Sequence, residues 1–167
     1  EEACEGIVIL FEKLVLSIAQ INSSSGAIGT VVYNAIDILS QIFSKTEIEF
    51  KKRTKWLERI YDAYTHDGYG YLDTLGDHFG TLCREKNLAE SWAFRLRPNA
   101  EASLPRGNGY FKGTVVCLDC LIIAEKYEEV LEMLNQDDII FWPYRLYGVR
   151  ALAKLGKIKE ALKYAQE

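Results

Sequence analysis

Apolar residues recur at helical spacing along almost the whole chain. Ile7, Leu10, Phe11, Leu14, Val15 and Ile18 fall on one stripe of a 3.6-residue period and predict a first helix. Asn22-Ser23-Ser24-Ser25-Gly26 interrupts it with turn formers, and Val31, Val32, Ala35, Ile36, Leu39, Ile42 and Phe43 predict a second helix, antiparallel to the first. Thr46 and Glu49 read as a T-x-x-E capping box that opens a third helix. There Phe50, Leu57, Ile60, Tyr61 and Tyr64 are expected inside, Lys51, Lys52, Arg53 and Lys55 outside, and His66-Asp67-Gly68 at the end.

Leu72, Leu75, Phe79 and Leu82 predict a fourth helix. Leu88 and Trp92, with Phe94 or Leu96, predict a short fifth one stopped by Pro98. From Pro98 to Gly113 the chain is rich in Pro, Gly, Asn and Ser without a sustained period and reads as a loop. Alternating β-branched patterns are missing apart from the ambiguous Thr114-Val115-Val116, so the fold class is all-α, with about nine helices.

The last two hairpins share a template. Ala124-Glu125-Lys126-Tyr127-Glu128-Glu129-Val130-Leu131 aligns with Leu155-Gly156-Lys157-Ile158-Lys159-Glu160-Ala161-Leu162 at an offset of 31 residues, apolar on apolar. Glu85 to Trp92 echoes the same turn-and-helix grammar. With its corner and second helix, Leu155 to Tyr164 resembles the tetratricopeptide repeat (TPR), which reads L-G-x-[YF]-x-E-A-L-x-[YF] there. The first helix offers Arg145, Gly148, Val149 and Leu152 where that repeat has a large residue, Leu, a small residue and Tyr. The resemblance covers roughly the last 55 residues. It implies antiparallel helix hairpins stacked as a TPR-like right-handed superhelix or solenoid, in which each hairpin buries its apolar stripe on the next. The organisation expected is one helical-repeat domain, 1–167, with looser hairpins in 1–97, a loop at 98–112 and TPR-like hairpins in 113–167. A fainter likeness, carried by Leu57 to Gly70, is to bacterial helical domains of unknown function, some of them neighbours of SWIM-type zinc modules.

Composition narrows the setting. The 167 residues are 49% apolar and 26% charged, which excludes disordered and fibrous classes. A mean hydropathy of −0.09 without a membrane-length apolar run gives no spanning helix. Net charge of −4 and a pI near 5.3 have the wrong sign for a surface given over to nucleic acid or anionic lipid. Glu1 in place of Met and a helical pattern running uncapped to the last residues read as a piece of a longer protein. Four cysteines, three in strongly apolar segments, suit a reducing, cytoplasmic location rather than a disulfide scaffold.

Several constellations carry candidate chemistry. Cys117-x-x-Cys120 has zinc and redox spacing, but it lies mid-helix among Val115, Val116, Leu118, Leu121, Ile122 and Ile123 without a second ligand pair, and reads as two core thiols. His66-Asp67, near Asp62, Asp73, Asp77 and His78, resembles a phosphohydrolase metal dyad, but its simpler reading is an interhelix turn. Lys51 to Lys55, with Arg84, Arg95, Arg97 and Arg106 near aromatic residues, offers a basic stripe of the kind helical repeats use on nucleic acid, though Glu47, Glu49 and Glu58 dilute it. Phe141-Trp142-Pro143-Tyr144 concentrates rings at a helix start where Pro fits the first turn.

The expected function is therefore non-catalytic: a scaffold or protein-interaction domain that binds a protein or peptide, or a second copy through its uncapped end helices. Its candidate contact residues are Arg106, Asn108, Tyr110, Lys112, Trp142, Tyr144 and Arg145, since Tyr, Trp and Arg make favoured interface anchors. No cofactor or metal, no membrane and no nucleic acid are the expected partners. The alternatives are a metal-dependent hydrolase-like site at His66-Asp67, with Asp73 and Asp77, and a nucleic-acid-binding helical repeat using Lys51 to Lys55.

Overall fold

A computed structural model describes residues 1–18, 27–105, 109–135 and 141–166. Among them are nine α-helices and no strand. The turn expected at Asn22 to Gly26 lies outside the described residues. The chain divides into two compact units, Glu1–Arg84 and Glu85–Glu167.

The first unit contains α1 (Glu2–Ile18), α2 (Ala27–Lys45), α3 (Phe50–His66), a 3₁₀ segment (Asp73–His78) and the short α4 (Phe79–Cys83). α1 packs on α3, and α2 packs on the 3₁₀ segment and α4. Its core takes Ile7, Val8 and Phe11 from α1, Val32, Ile36 and Phe43 from α2, Trp56, Leu57, Ile60 and Tyr64 from α3, and Leu72, Leu75, Phe79 and Leu82 beyond. Arg59 donates to both carboxylate oxygens of Glu12, at 2.6 and 2.7 Å, which ties α3 to α1.

Four expectations are corrected in this unit. Arg53 is not on the outside of α3 but 1% exposed. Its guanidinium donates to Leu82 O at 2.7 Å, Thr46 O at 2.7 Å and Phe43 O at 3.5 Å, so it takes up carbonyls at the ends of α2 and α4 that have no partner within their own helices. Thr46 and Glu49 form no capping box, because Thr46 directly follows α2 and closes its last turn: its N–H and its hydroxyl both donate to Ile42 O, at 3.2 and 2.8 Å. Glu49 is the N-cap of α3 without a side-chain cap, and Phe50 is 46% exposed rather than inward. The fourth helix is mostly 3₁₀, with only Phe79–Cys83 truly α-helical.

The second unit is a run of α5 (Lys86–Ser103), α6 (Gly113–Ile123), α7 (Tyr127–Leu134), α8 (Trp142–Lys154) and α9 (Ile158–Gln166). Each helix packs on the next, and α6 also packs on α8. α5 overturns the expected stop at Pro98: the proline sits inside the helix, which continues to Ser103. Pro98 removes the helical bond to the carbonyl of Phe94, a residue 82% exposed on the outer side of α5. Leu96, Ala100 and Leu104 meanwhile keep the buried stripe running on both sides of the proline. The expected 98–112 loop is shortened accordingly.

The 31-residue offset is reproduced bond for bond at two corners. After α6, Glu125 sits at φ 61°, with its N–H on Ile122 O at 3.1 Å and the Lys126 N–H on Leu121 O at 2.9 Å. After α8, Gly156 sits at φ 76°, with its N–H on Ala153 O at 3.1 Å and the Lys157 N–H on Leu152 O at 2.9 Å. Both are Schellman caps, in which a left-handed residue lets two N–H groups close back on the last turn. Beyond the second corner, α9 comes so close to α8 that a Cβ on Gly148 would lie 2.7 Å from the Tyr164 ring.

Candidate functional site

The second unit holds the residues most able to meet a partner. α8 begins at Trp142 with Pro143 in its first turn, where a missing N–H leaves no helical bond unmade. This start exposes Phe141 (52%) and Trp142 (49%), while Tyr144, two residues on, turns inward to 6% exposure. The Phe141 and Tyr144 rings meet edge to face with centroids 4.9 Å apart. Burial, and next the Tyr110 phenol beside it, push the Tyr144 hydroxyl up to about 12, against a hydrogen bond with Thr114 that pulls the other way. Thr114 in turn shares a 2.8 Å hydrogen bond with Ser103 of α5. The start of α6 and the start of α8 are thereby joined under an aromatic rim of Tyr110, Phe141 and Trp142, with Tyr110 69% exposed.

The expected contact residues are sorted by this geometry. Tyr110 and Trp142 are exposed, and Lys112, two residues after Tyr110, is half-buried. Tyr144 is core, a correction that follows from its ring filling the space between the starts of α6 and α8. Arg145 is half-buried and committed within the fold: it donates to Tyr164 O at 2.8 Å and lies 4.7 Å over the Tyr164 ring, clamping α9 to α8. Arg106 and Asn108 lie outside the described residues. Phe141, which the expectation left out, joins the rim; its place beside Trp142 at a helix start was the available signal.

A second feature had no counterpart in the sequence reading. A groove of about 510 Å³ runs between α7 and α9, lined by Glu128, Leu131, Glu132, Leu134 and Asn135 on one side, Glu160, Lys163 and Tyr164 on the other, and Leu152 of α8. Glu128, Leu131 and Glu132 lie on one face of α7 at spacing i, i+3, i+4, and Asn135 caps the end of that helix.

The other constellations differ in burial. Cys117 and Cys120 are both 0% exposed in α6, as core thiols should be. Cys117 Sγ donates to Ala93 O of α5 at 3.6 Å, and burial pushes its thiol up to about 12, with nearby Arg97 opposing. Asp67 is buried, and its carboxylate accepts the N–H of Tyr69 at 2.9 Å and of Leu72 at 2.7 Å, organising the turn after α3. His66 is exposed, with Nδ1 2.9 Å from Asp62 O. Among the described residues, no three or more of His, Cys, Asp and Glu are grouped so as to hold a metal ion.

Of the basic residues, Lys51 and Lys55 are exposed, Lys52 lies 3.5 Å from Glu1, and Arg53 is buried. Arg84 donates to Thr46 O, Arg95 lies 3.6 Å over Trp92, and Arg97 pairs with Glu101 and Glu129. Among the described residues, no helix is long and apolar enough to cross a membrane. Comparison with protein-family models, with curated proteins and with solved structures finds no match.

Proposed function

We propose that the chain is a non-catalytic, TPR-like helical-repeat module that binds a protein or peptide segment, and that the aromatic rim of Tyr110, Phe141 and Trp142 is its contact surface. The observation that carries this reading is the convergence of three rings, each at least about half exposed, on the starts of α6 and α8. Rigid amphipathic rings of this kind anchor interfaces at low entropic cost. The matched corners after α6 and α8, and the packing of α6 on both α7 and α8, support a right-handed superhelical stack of hairpins.

The test is selection of peptides from a displayed library against the folded chain, followed by titration of the enriched peptides. Replacing Tyr110 and Trp142 by Ala is expected to weaken binding about 30-fold, the ~2 kcal/mol of a buried aromatic anchor, with an unchanged melting temperature. A library that enriches nothing, or peptides that bind the double variant as well as the native chain, would reject the reading. A second copy of the chain as partner would show instead as concentration-dependent mass in sedimentation, abolished by the same pair of substitutions.

A further inference from the structure

We infer that the groove between α7 and α9 is a second docking surface, separate from the aromatic rim, and that its occupant is a short amphipathic helix whose apolar stripe is flanked by Lys or Arg. The groove has an apolar floor, Leu131, Leu152 and Tyr164, and carboxylates along its rim, Glu128 and Glu132 from α7 and Glu160 from α9. One cation, Lys163, lies among the lining residues, and two more stand at the long edge of ion-pair range just outside, Arg97 3.8 Å from Glu132 and Lys157 3.9 Å from Glu160, all of these glutamates keeping an exposed face. Leu131 and Tyr164 are only half-buried and the three glutamates are exposed, so the floor meets solvent through an acidic frame.

An apolar floor between helices takes the i, i+3, i+4, i+7 side chains of another helix, and the rim selects the charge of the residues beside that stripe. An acidic partner would place like charges against Glu128, Glu132 and Glu160 while they lose water, so charge complementarity singles out the basic one. A volume of 510 Å³ admits a few side chains of a docked helix, not the helix itself, which fits a shallow exchange of anchors along the α7 face.

The experiment titrates the full chain with a fluorescent synthetic peptide carrying Leu at i, i+3, i+4, i+7 spacing and Lys beside it, and with its Leu/Glu counterpart. The Leu/Lys peptide should bind saturably, and less tightly as salt rises. The double reversal Glu128→Lys and Glu160→Lys should weaken it by about tenfold or more. An off-groove control of equal net charge, Glu2→Lys with Glu47→Lys, should bind like the native chain.

Glu128→Gln with Glu160→Gln gives a second, milder variant should the reversal fail to fold, and an intermediate loss is expected of it. Absence of saturable Leu/Lys binding, comparable binding of the Leu/Glu peptide, or equal losses in groove and off-groove variants would each overturn the proposal. Because Tyr110 and Trp142 are untouched throughout, failure here leaves the rim reading standing, and failure of the rim leaves this groove to its own test.

Discussion

Four positions show how much a single residue decides. Arg53 closes carbonyls at the ends of α2 and α4 from α3, so Arg53→Met would take this donor from the Phe43 and Leu82 carbonyls, leaving Thr46 O to Arg84, while nearly keeping the volume. A loss of about 3 kcal/mol or more is expected in denaturant unfolding of the first unit. Gly148→Ala would push a methyl into the Tyr164 ring that Arg145 holds in place, for an expected loss of about 1–3 kcal/mol, partly recovered by Tyr164→Leu in the same chain. Cys117 and Tyr144 set an alkaline limit. Their pKa values are raised on folding, to about 12 each, so the unfolded chain gives up these protons first. The stability they contribute is complete below pH 9 and is lost as pH climbs towards 12. Thermal melts across that range should fall, and Cys117→Ala with Tyr144→Phe should flatten the fall.

At the scale of elements, the two matched corners make opposite predictions. Glu125 holds a left-handed conformation that favours glycine, and its ion pair with Lys86 is exposed and weak. Glu125→Gly should therefore raise stability by about 0.5–1 kcal/mol, whereas Gly156→Ala should lower it by about 1 kcal/mol; chemical denaturation of the two variants reads both signs. These corners were legible because a period of apolar positions and a shared Lys-x-x-Glu grammar are local signals.

The all-helical class and the burial of Cys117 and Cys120 were legible for the same reason, since a helix whose run from Val115 to Ile123 is apolar except for Asp119 buries most of its surface. Arg53 was not, because its burial depends on carbonyls from Phe43, Thr46 and Leu82, which no local pattern brings together. Pro98 misled because the buried stripe of Leu96, Ala100 and Leu104 carries the helix past it. The inward turn of Tyr144 depends on Thr114 and Tyr110, thirty and thirty-four positions earlier. The α7–α9 groove was invisible because it belongs to no single helix.

At the scale of the whole molecule, each unit has its own core, built within Glu1–Arg84 and within Glu85–Glu167. A segment of Glu85–Glu167 expressed alone should melt cooperatively with helical circular dichroism, as chains of this size with one core do. A gradual, non-cooperative loss of signal would contradict that expectation. On the acid side, the first unit carries the more visible linkage. The Arg59 hydrogen bond holds the Glu12 carboxyl below its usual 4.5, so that contribution is present above pH 4.5 and is lost as pH falls further. Acid titration of the melting temperature should show a step that Glu12→Gln removes.

The two identical joints after α6 and α8 have a consequence for how such a chain can change length. A genetic duplication or deletion of 31 residues, cut at equivalent points, would rejoin one helix to its next through the same left-handed bend, with both closing bonds intact. Growth or shortening by whole hairpins therefore needs no new connector, and descendants of this gene could differ by units of that size without inventing a turn.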